Sequence, residues 1–469
     1  MSSDNSSQSH AHSPFLSGAL SAHFARTALP IIFVMGMNGL LTVVDAIFLG
    51  HYVGPEALAA VTLIFPIYML MVALSTLVSS GLASLIARQL GAGNIDEARA
   101  HFSGAHGLAL LIGFFFIASY LAFGKELTLI AANGSETLAH LGTIYLRIMV
   151  FATPMVMVLS LHVDTLRNEG FAPIMAAMSL LVSLANIGFN ALFIIHYDLG
   201  IAGSAYGTLA AQSLAFTIIL GFRHWGPSAF KPMGLMRHSL ATGWRQILAL
   251  GATQSFGFIG MSLIATATIT ALQLVNTSHY GETISAYGII TRMMTFYFLP
   301  LLGMGQAMQS ILGSNFGAAL WHRSDHALRI ALGVALIYSL LAQALFMLAP
   351  GMLASLFISE QGVIDEMIRI LPKTTMMMFT AGPLFILATY FQAIGDVPRA
   401  AILSLMKTYC LMLPLLFLLP MLTGEIGIWF TGPLADALML AITFALLRHA
   451  ARKTGYQWGL FAAPAKVQS

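Results

Sequence analysis

The chain has 469 residues and a formal net charge of +3; it is 58% hydrophobic and only 8% charged. Soluble domains carry about 25% charged residues, and a mean hydropathy of +0.83 excludes a water-facing surface over most of this length. The small net charge argues against nucleic acid binding, and the single cysteine, Cys410, excludes an internal disulfide.

Residues 1–14 are polar and lack the basic start and apolar core of a signal peptide. His10 and His12 therefore read as parts of a disordered tail in preference to a metal site. Beyond them, a membrane span needs about 20 mostly apolar residues. That length is met near 28–52, 58–87, 104–124, 138–165, 172–196, 201–222, 245–275, 284–313, 327–350, 368–394, 398–420 and 426–448. Lipid cannot satisfy an open sheet edge, so the expectation is an all-α polytopic membrane protein with twelve transmembrane helices. Lys and Arg sort strongly between the two sides, with fifteen at the ends shared by both termini and only Lys125 and Arg369 opposite. The excess of basic residues marks the cytoplasmic face, which places both termini in the cytoplasm.

The first run, 28–52, contains one carboxylate, Asp45. A carboxylate at that depth costs about 2.5–3.5 kcal/mol on insertion scales and faces a partner or a water-filled cavity. Asp45 lies about seven residues from the outer end of span one, Asn190 about six from the outer end of span five, and Thr208 about seven inside span six. At 1.5 Å per residue, all three sit roughly 10 Å below the outer boundary. Asn186 lies one turn below Asn190 on the same face. These oxygens suit a small hard cation or a carboxyl that exchanges a proton; the competing reading is polar contacts that hold helices together. Asp164 precedes Arg167 by three residues, the spacing of a local ion pair. Asp436, in the last span, has no such neighbour, and Lys407 in span eleven is its candidate partner. Arg292 could face a central cavity, whereas His162 and His196, near helix ends, read as structural. Asn133-Gly-Ser and Asn276-Thr-Ser match a glycosylation pattern of no consequence in a bacterial host.

The chain also repeats internally. At an offset of 226, EALAAVTLI (56–64) falls on ETISAYGII (282–290), and Gly91 on Gly317. At an offset of 225, EGFAPIMAAMSLL (169–181) falls on IGDVPRAAILSLM (394–406), pairing Gly170 with Gly395 and Pro173 with Pro398. Six helices per repeat preserve orientation, so the lobes are parallel repeats around a central cavity. The expected division is residues 1–222 for the N-terminal tail and lobe, 223–244 for a cytoplasmic linker, and 245–469 for the second lobe and tail. Asp45 falls on Ala271, so its role belongs to the first lobe alone.

VDAIFLGHYVGPEALAAV, ARQLGAG, NIGFNALFI followed by GIAGSAYGT, AYGIITR, GSNFGAA and FQAIGDVPRA, in this order from about residue 20 to 450, resemble the multidrug and toxin extrusion (MATE) family. The resemblance implies a secondary antiporter that is not an enzyme and has no cofactor. It would export organic cations or amphipathic drugs in exchange for H+ or Na+. It puts the coupling carboxylate at Asp45, further ion ligands at Asn186, Asn190 and Thr208, and a helix-one hinge at Pro30. Related prokaryotic members carry an acid in this part of helix twelve, which keeps Asp436 as a second coupling or substrate site, with Lys407 and Arg292 as its further candidates from the residues themselves. If Na+ is the ion, Asp45, Asn186, Asn190 and Thr208 form its metal site. The sequence departs from archaeal-type members in having Asn190 where they have a carboxylate, and no acid lies in helix seven or ten. The expectation is a monomer in the bacterial inner membrane, contacting lipid and small molecules. A flippase for a lipid-linked or polysaccharide precursor, from the same superfamily, is the alternative.

Overall fold

The computed structural model describes residues 13–132, 135–275 and 279–454. His10, His12, Asn133, Asn276 and Lys466 lie outside them. The described residues are helical almost throughout. Nine helices long and apolar enough to span a membrane come first: α1 (Leu20–Val53), α2 (Glu56–Gly91), α3 (Ile95–Ala131), α4 (Glu136–Asn168), α5 (Ala172–His196), α6 (Gly200–Trp225), α7 (Trp244–Val275), α8 (Tyr280–Gly317) and α9 (Trp321–Leu348). α10 is a bent pair, Gln361–Thr374 and Met378–Ile394, with 53° between its halves. α11 (Val397–Thr423) and α12 (Glu425–Arg452) complete the twelve.

Two elements differ from the expected spans for physical reasons. α3 begins nine residues before the apolar window because its first turns carry Asp96, Glu97 and Arg99. Those charges exclude lipid but not a helix. α10, expected as one span, is broken after Pro372, which has no N–H for the helical ladder. Backbone groups freed at such a break need partners in lipid, and Gln343 of α9 supplies them. Its Nε2 donates to the Met376 carbonyl at 2.9 Å, and its Oε1 accepts from Phe379 N at 2.7 Å.

The chain forms two compact units. Among the described residues, the first contains 13–17 and 29–255; the second contains 18–28 and 256–454. The division crosses α1 between Ala28 and Leu29, beside Pro30, and α7 between Ser255 and Phe256. The start of α7 belongs to the first unit because it packs directly on α2. A Cβ at Gly81 would overlap the Ile247 carbonyl, and one at Gly251 would overlap that of Leu77. Within this unit, Ile64, Met71, Phe116, Leu146, Met149 and Val150 form the core shared by α2, α3 and α4. The polarity is inverted relative to a soluble protein: Ile130 and Leu121 are 77% and 70% exposed, whereas Asn186 and Asn190 are fully buried. Leucine on the outside is at home in lipid, and the amides find their partners inside.

The repeat is written in the backbone of both units. Gly170 and Gly395, paired by the offset of 225, end α4 and α10 with φ of 89° and 85°, a region costly for residues with a Cβ. Pro173 and Pro398 then open α5 and α11 in the first turn, where a missing N–H is no loss.

Candidate functional site

The first unit joins the four residues of the expected site into one hydrogen-bonded line. Asn190 Nδ2 donates to Asp45 Oδ1 at 2.7 Å and to Asn186 Oδ1 at 3.1 Å. Asn186 Nδ2 in turn donates to Thr208 Oγ1 at 3.1 Å. The geometry follows from helix periodicity: Asn186 and Asn190, four residues apart, face the same way, with α1 meeting the upper amide and α6 the lower. Both amides are fully buried; Asp45 is half-buried and forms no ion pair among the described residues.

Two features of this line escaped sequence reasoning. Gly207, on α6, lies so close to Asn190 that a Cβ there would overlap Asn190 Oδ1. That oxygen is buried without a hydrogen-bond partner, an acceptor held in place and left available. Tyr68 of α2 and Tyr145 of α4 lie within electrostatic reach of the Asp45 carboxylate. Both are packed into the α2–α4 core, and nothing in sequence spacing singles them out from the other tyrosines.

The second unit holds the other acid. Asp436 Oδ1 lies 2.5 Å from Lys407 Nζ, with side-chain exposures of 10% and 28%. The contact is one of charge proximity; its angles do not meet those of a hydrogen bond. Lys407 sits in a π-helical stretch of α11, Met406–Met412, a local widening that often accompanies functional positions. Tyr297 lies within electrostatic reach of Asp436 and bonds Ser339 at 2.8 Å. Arg292, by contrast, is exposed on α8, with no contact linking it to the Asp436–Lys407 pair. Pro30 lies inside α1 at the division between the units.

Asp164 and Arg167 form the expected local pair at 2.7 Å. His162 is not at a helix end. It is buried within α4, and its Nε2 lies 3.3 Å from Nε2 of His106. Fully buried Arg223 lies beside it, donating to the His162 carbonyl at 2.9 Å and to Glu169 at 3.0 Å. The side chain of Arg223 also stacks over Phe102.

Among the described residues, eleven membrane-length helices and one bent pair, with a half-buried carboxylate held against buried amides, define an integral membrane protein. The MatE family profile matches residues 30–192 and 258–418, so the chain belongs to the MATE family. The Multidrug export protein MepA of Staphylococcus aureus is 25% identical over 422 residues, covering 89% of this chain and 90% of its own. A MOP superfamily transporter from Pyrococcus furiosus, described as having a binding pocket of reverse polarity that suggests a different function, superposes with a TM-score of 0.83 at 23% identity. It covers 94% of this chain and 98% of that one. An outward-facing multidrug resistance MATE family transporter of the MOP superfamily superposes with a TM-score of 0.82 at 22% identity, covering 91% and 95%.

Proposed function

We propose that the protein is a secondary active exporter of organic cations or amphipathic drugs, driven by entry of H+ or Na+ through Asp45. The observation that carries this reading is the Asp45–Asn190–Asn186–Thr208 line. A carboxylate without a cationic partner changes the net charge of its surroundings when it takes up a proton or Na+. In low dielectric that change is large. Asn190 Oδ1, buried and unpartnered, offers an acceptor to an incoming proton or a ligand to Na+. Such a site drives transport only where its loaded and empty forms favour different conformations, and Pro30, beside the division of α1, is the proposed place of bending. The Staphylococcus relative, named for multidrug export, supports the substrate class.

The flippase alternative requires free cations within the spans. Of the four cations Arg147, Arg292, Lys373 and Lys407 within or at the ends of the expected spans, Lys407 is occupied by Asp436, and Lys373 Nζ donates to the Arg369 carbonyl at 2.6 Å, which leaves Arg147 and Arg292 of that set. The deciding experiment follows a fluorescent organic cation in proteoliposomes, with pH and sodium gradients imposed separately, for wild type and Asp45→Asn. One gradient should drive movement in wild type and neither in the variant. Full ion-driven movement with Asp45→Asn would refute the assignment.

A further inference from the structure

A cavity of about 640 Å³ lies in the first unit between the start of α3 and the segment that follows α6. It is separate from the Asp45 line and shares no residue with it. Arg99, Lys231 and Arg237 line it, together with His224 and His238, against a single acid, Asp96. Asp96 is already paired with Arg99 at 3.1 Å. Among the described residues Arg237 has neither a hydrogen bond nor an ion pair. Ser103, on the inner wall, is 1% exposed, and its Oγ has no hydrogen-bond partner. A buried hydroxyl without a partner is costly to leave unsatisfied, and Ser103 is one of the residues that line this basic hollow.

The walls are fixed by hydrogen bonds. Arg99 Nε donates to the Ala229 carbonyl at 3.1 Å, and Ala229 N donates to Glu169 Oε1 at 2.7 Å. Lys231 Nζ donates to the Gly226 carbonyl at 2.6 Å, which orients its ammonium and leaves donor capacity. Met233, which lines the cavity, is 75% exposed, and Trp225, next in the chain to the lining residue His224, is 84% exposed. Aromatic and aliphatic side chains beside basic ones at the end of a membrane helix are the arrangement that meets the lipid interface.

Guanidinium, ammonium and hydroxyl donors around one hollow match the oxygens of a phosphate group. We propose that this cavity is a phosphate-group site, and these two apolar side chains assign the phosphate to the headgroup of an anionic phospholipid. The headgroup sits between Arg99, Lys231 and Arg237 and accepts from Ser103, while its acyl chains lie along Trp225 and Met233.

The test is native mass spectrometry of the delipidated, full-length protein in detergent, titrated with phosphatidylglycerol, phosphatidylcholine or inorganic phosphate. Wild type should bind phosphatidylglycerol more tightly than phosphatidylcholine, and inorganic phosphate should compete for the same site. Lys231 and Arg237 are exposed, and Lys231→Gln/Arg237→Gln is matched to wild type by thermal unfolding before titration. It should weaken phosphatidylglycerol binding by roughly ten- to thirty-fold, because each basic residue near an anionic surface contributes about five-fold. Ser103→Ala should weaken it by about ten-fold without changing the elution profile. Phosphate binding that responds to these variants while phosphatidylglycerol does not bind would overturn the lipid assignment. Equal phosphatidylglycerol binding in wild type and both variants would overturn the site.

Discussion

Gly207→Ala tests the transport reading without touching a polar side chain. The new methyl group would overlap Asn190 Oδ1, so Asn190 must move away from its place beside Asp45. Overpacking of this kind costs about 1–3 kcal/mol, and replacing glycine by alanine inside a helix returns up to about 1 kcal/mol. The packing cost is thus about 0–2 kcal/mol. The functional effect is larger. A hydrogen bond to a charged group contributes about 1.5–3 kcal/mol, which corresponds to a change of roughly ten- to a hundred-fold in an equilibrium constant. Ion-driven efflux of a fluorescent cation in proteoliposomes should fall by about that factor, to the level of Asn190→Ala, while thermal unfolding in detergent shifts about as far as in Asn190→Ala. If Gly207→Ala transported like wild type with the same ion dependence, the Asn190–Asp45 contact would have no part in coupling.

Gln343→Leu removes both side-chain bonds at the break in α10 and should destabilise the protein by about 1–3 kcal/mol for each unsatisfied backbone group; thermal unfolding compared with Gln343→Glu checks it. Glu169→Gln leaves fully buried Arg223 without its counter-charge. A loss of about 3–5 kcal/mol is expected, and Arg223→Met combined with Glu169→Gln should recover part of it in the same assay. Lys407→Met should cost less, about 1–3 kcal/mol, because its ammonium is part-exposed; adding Asp436→Leu should restore most of that loss in a double-mutant cycle.

Much of the fold is legible in the sequence because lipid imposes a simple length rule and a strong charge bias. The expected spans fall on the observed helices, and the pairing of Gly170 with Gly395 reappears as two left-handed helix ends. The exceptions are places where an interior partner overrides the local pattern. The break in α10 depends on Gln343, a residue more than thirty positions earlier. The buried environment of His162 depends on His106 and Arg223, on different helices. The Asp45 line was legible for a similar reason: four rare polar residues at one depth have few ways to be satisfied other than by each other. Gly207 was not, since a glycine's value lies in the atom it lacks, and only the neighbouring oxygen reveals it.

The two acids also answer why one repeat can hold two different sites. At the offset of 226, Asp45 falls on Ala271 and Asp436 falls on Ala210, so each unit keeps one acid that the other lacks. Their surroundings differ in charge. Asp45 is met by an amide and stands without a cation among the described residues, whereas Asp436 is held against Lys407. Loading a proton or Na+ at Asp45 adds a charge that nearby groups must accommodate. Loading at Asp436 must first displace an ammonium already in contact, at a cost that a close pair in low dielectric makes large. On electrostatic grounds the first unit is therefore suited to cycling its charge and the second to keeping it. The consequence is a difference between variants: neutralising Asp45 should abolish ion dependence with little loss of stability. Asp436→Asn should lower stability, while transport by the protein that remains folded keeps its response to the gradient. An Asp436→Asn protein that folds as stably as wild type but no longer responds to either gradient would reverse these roles.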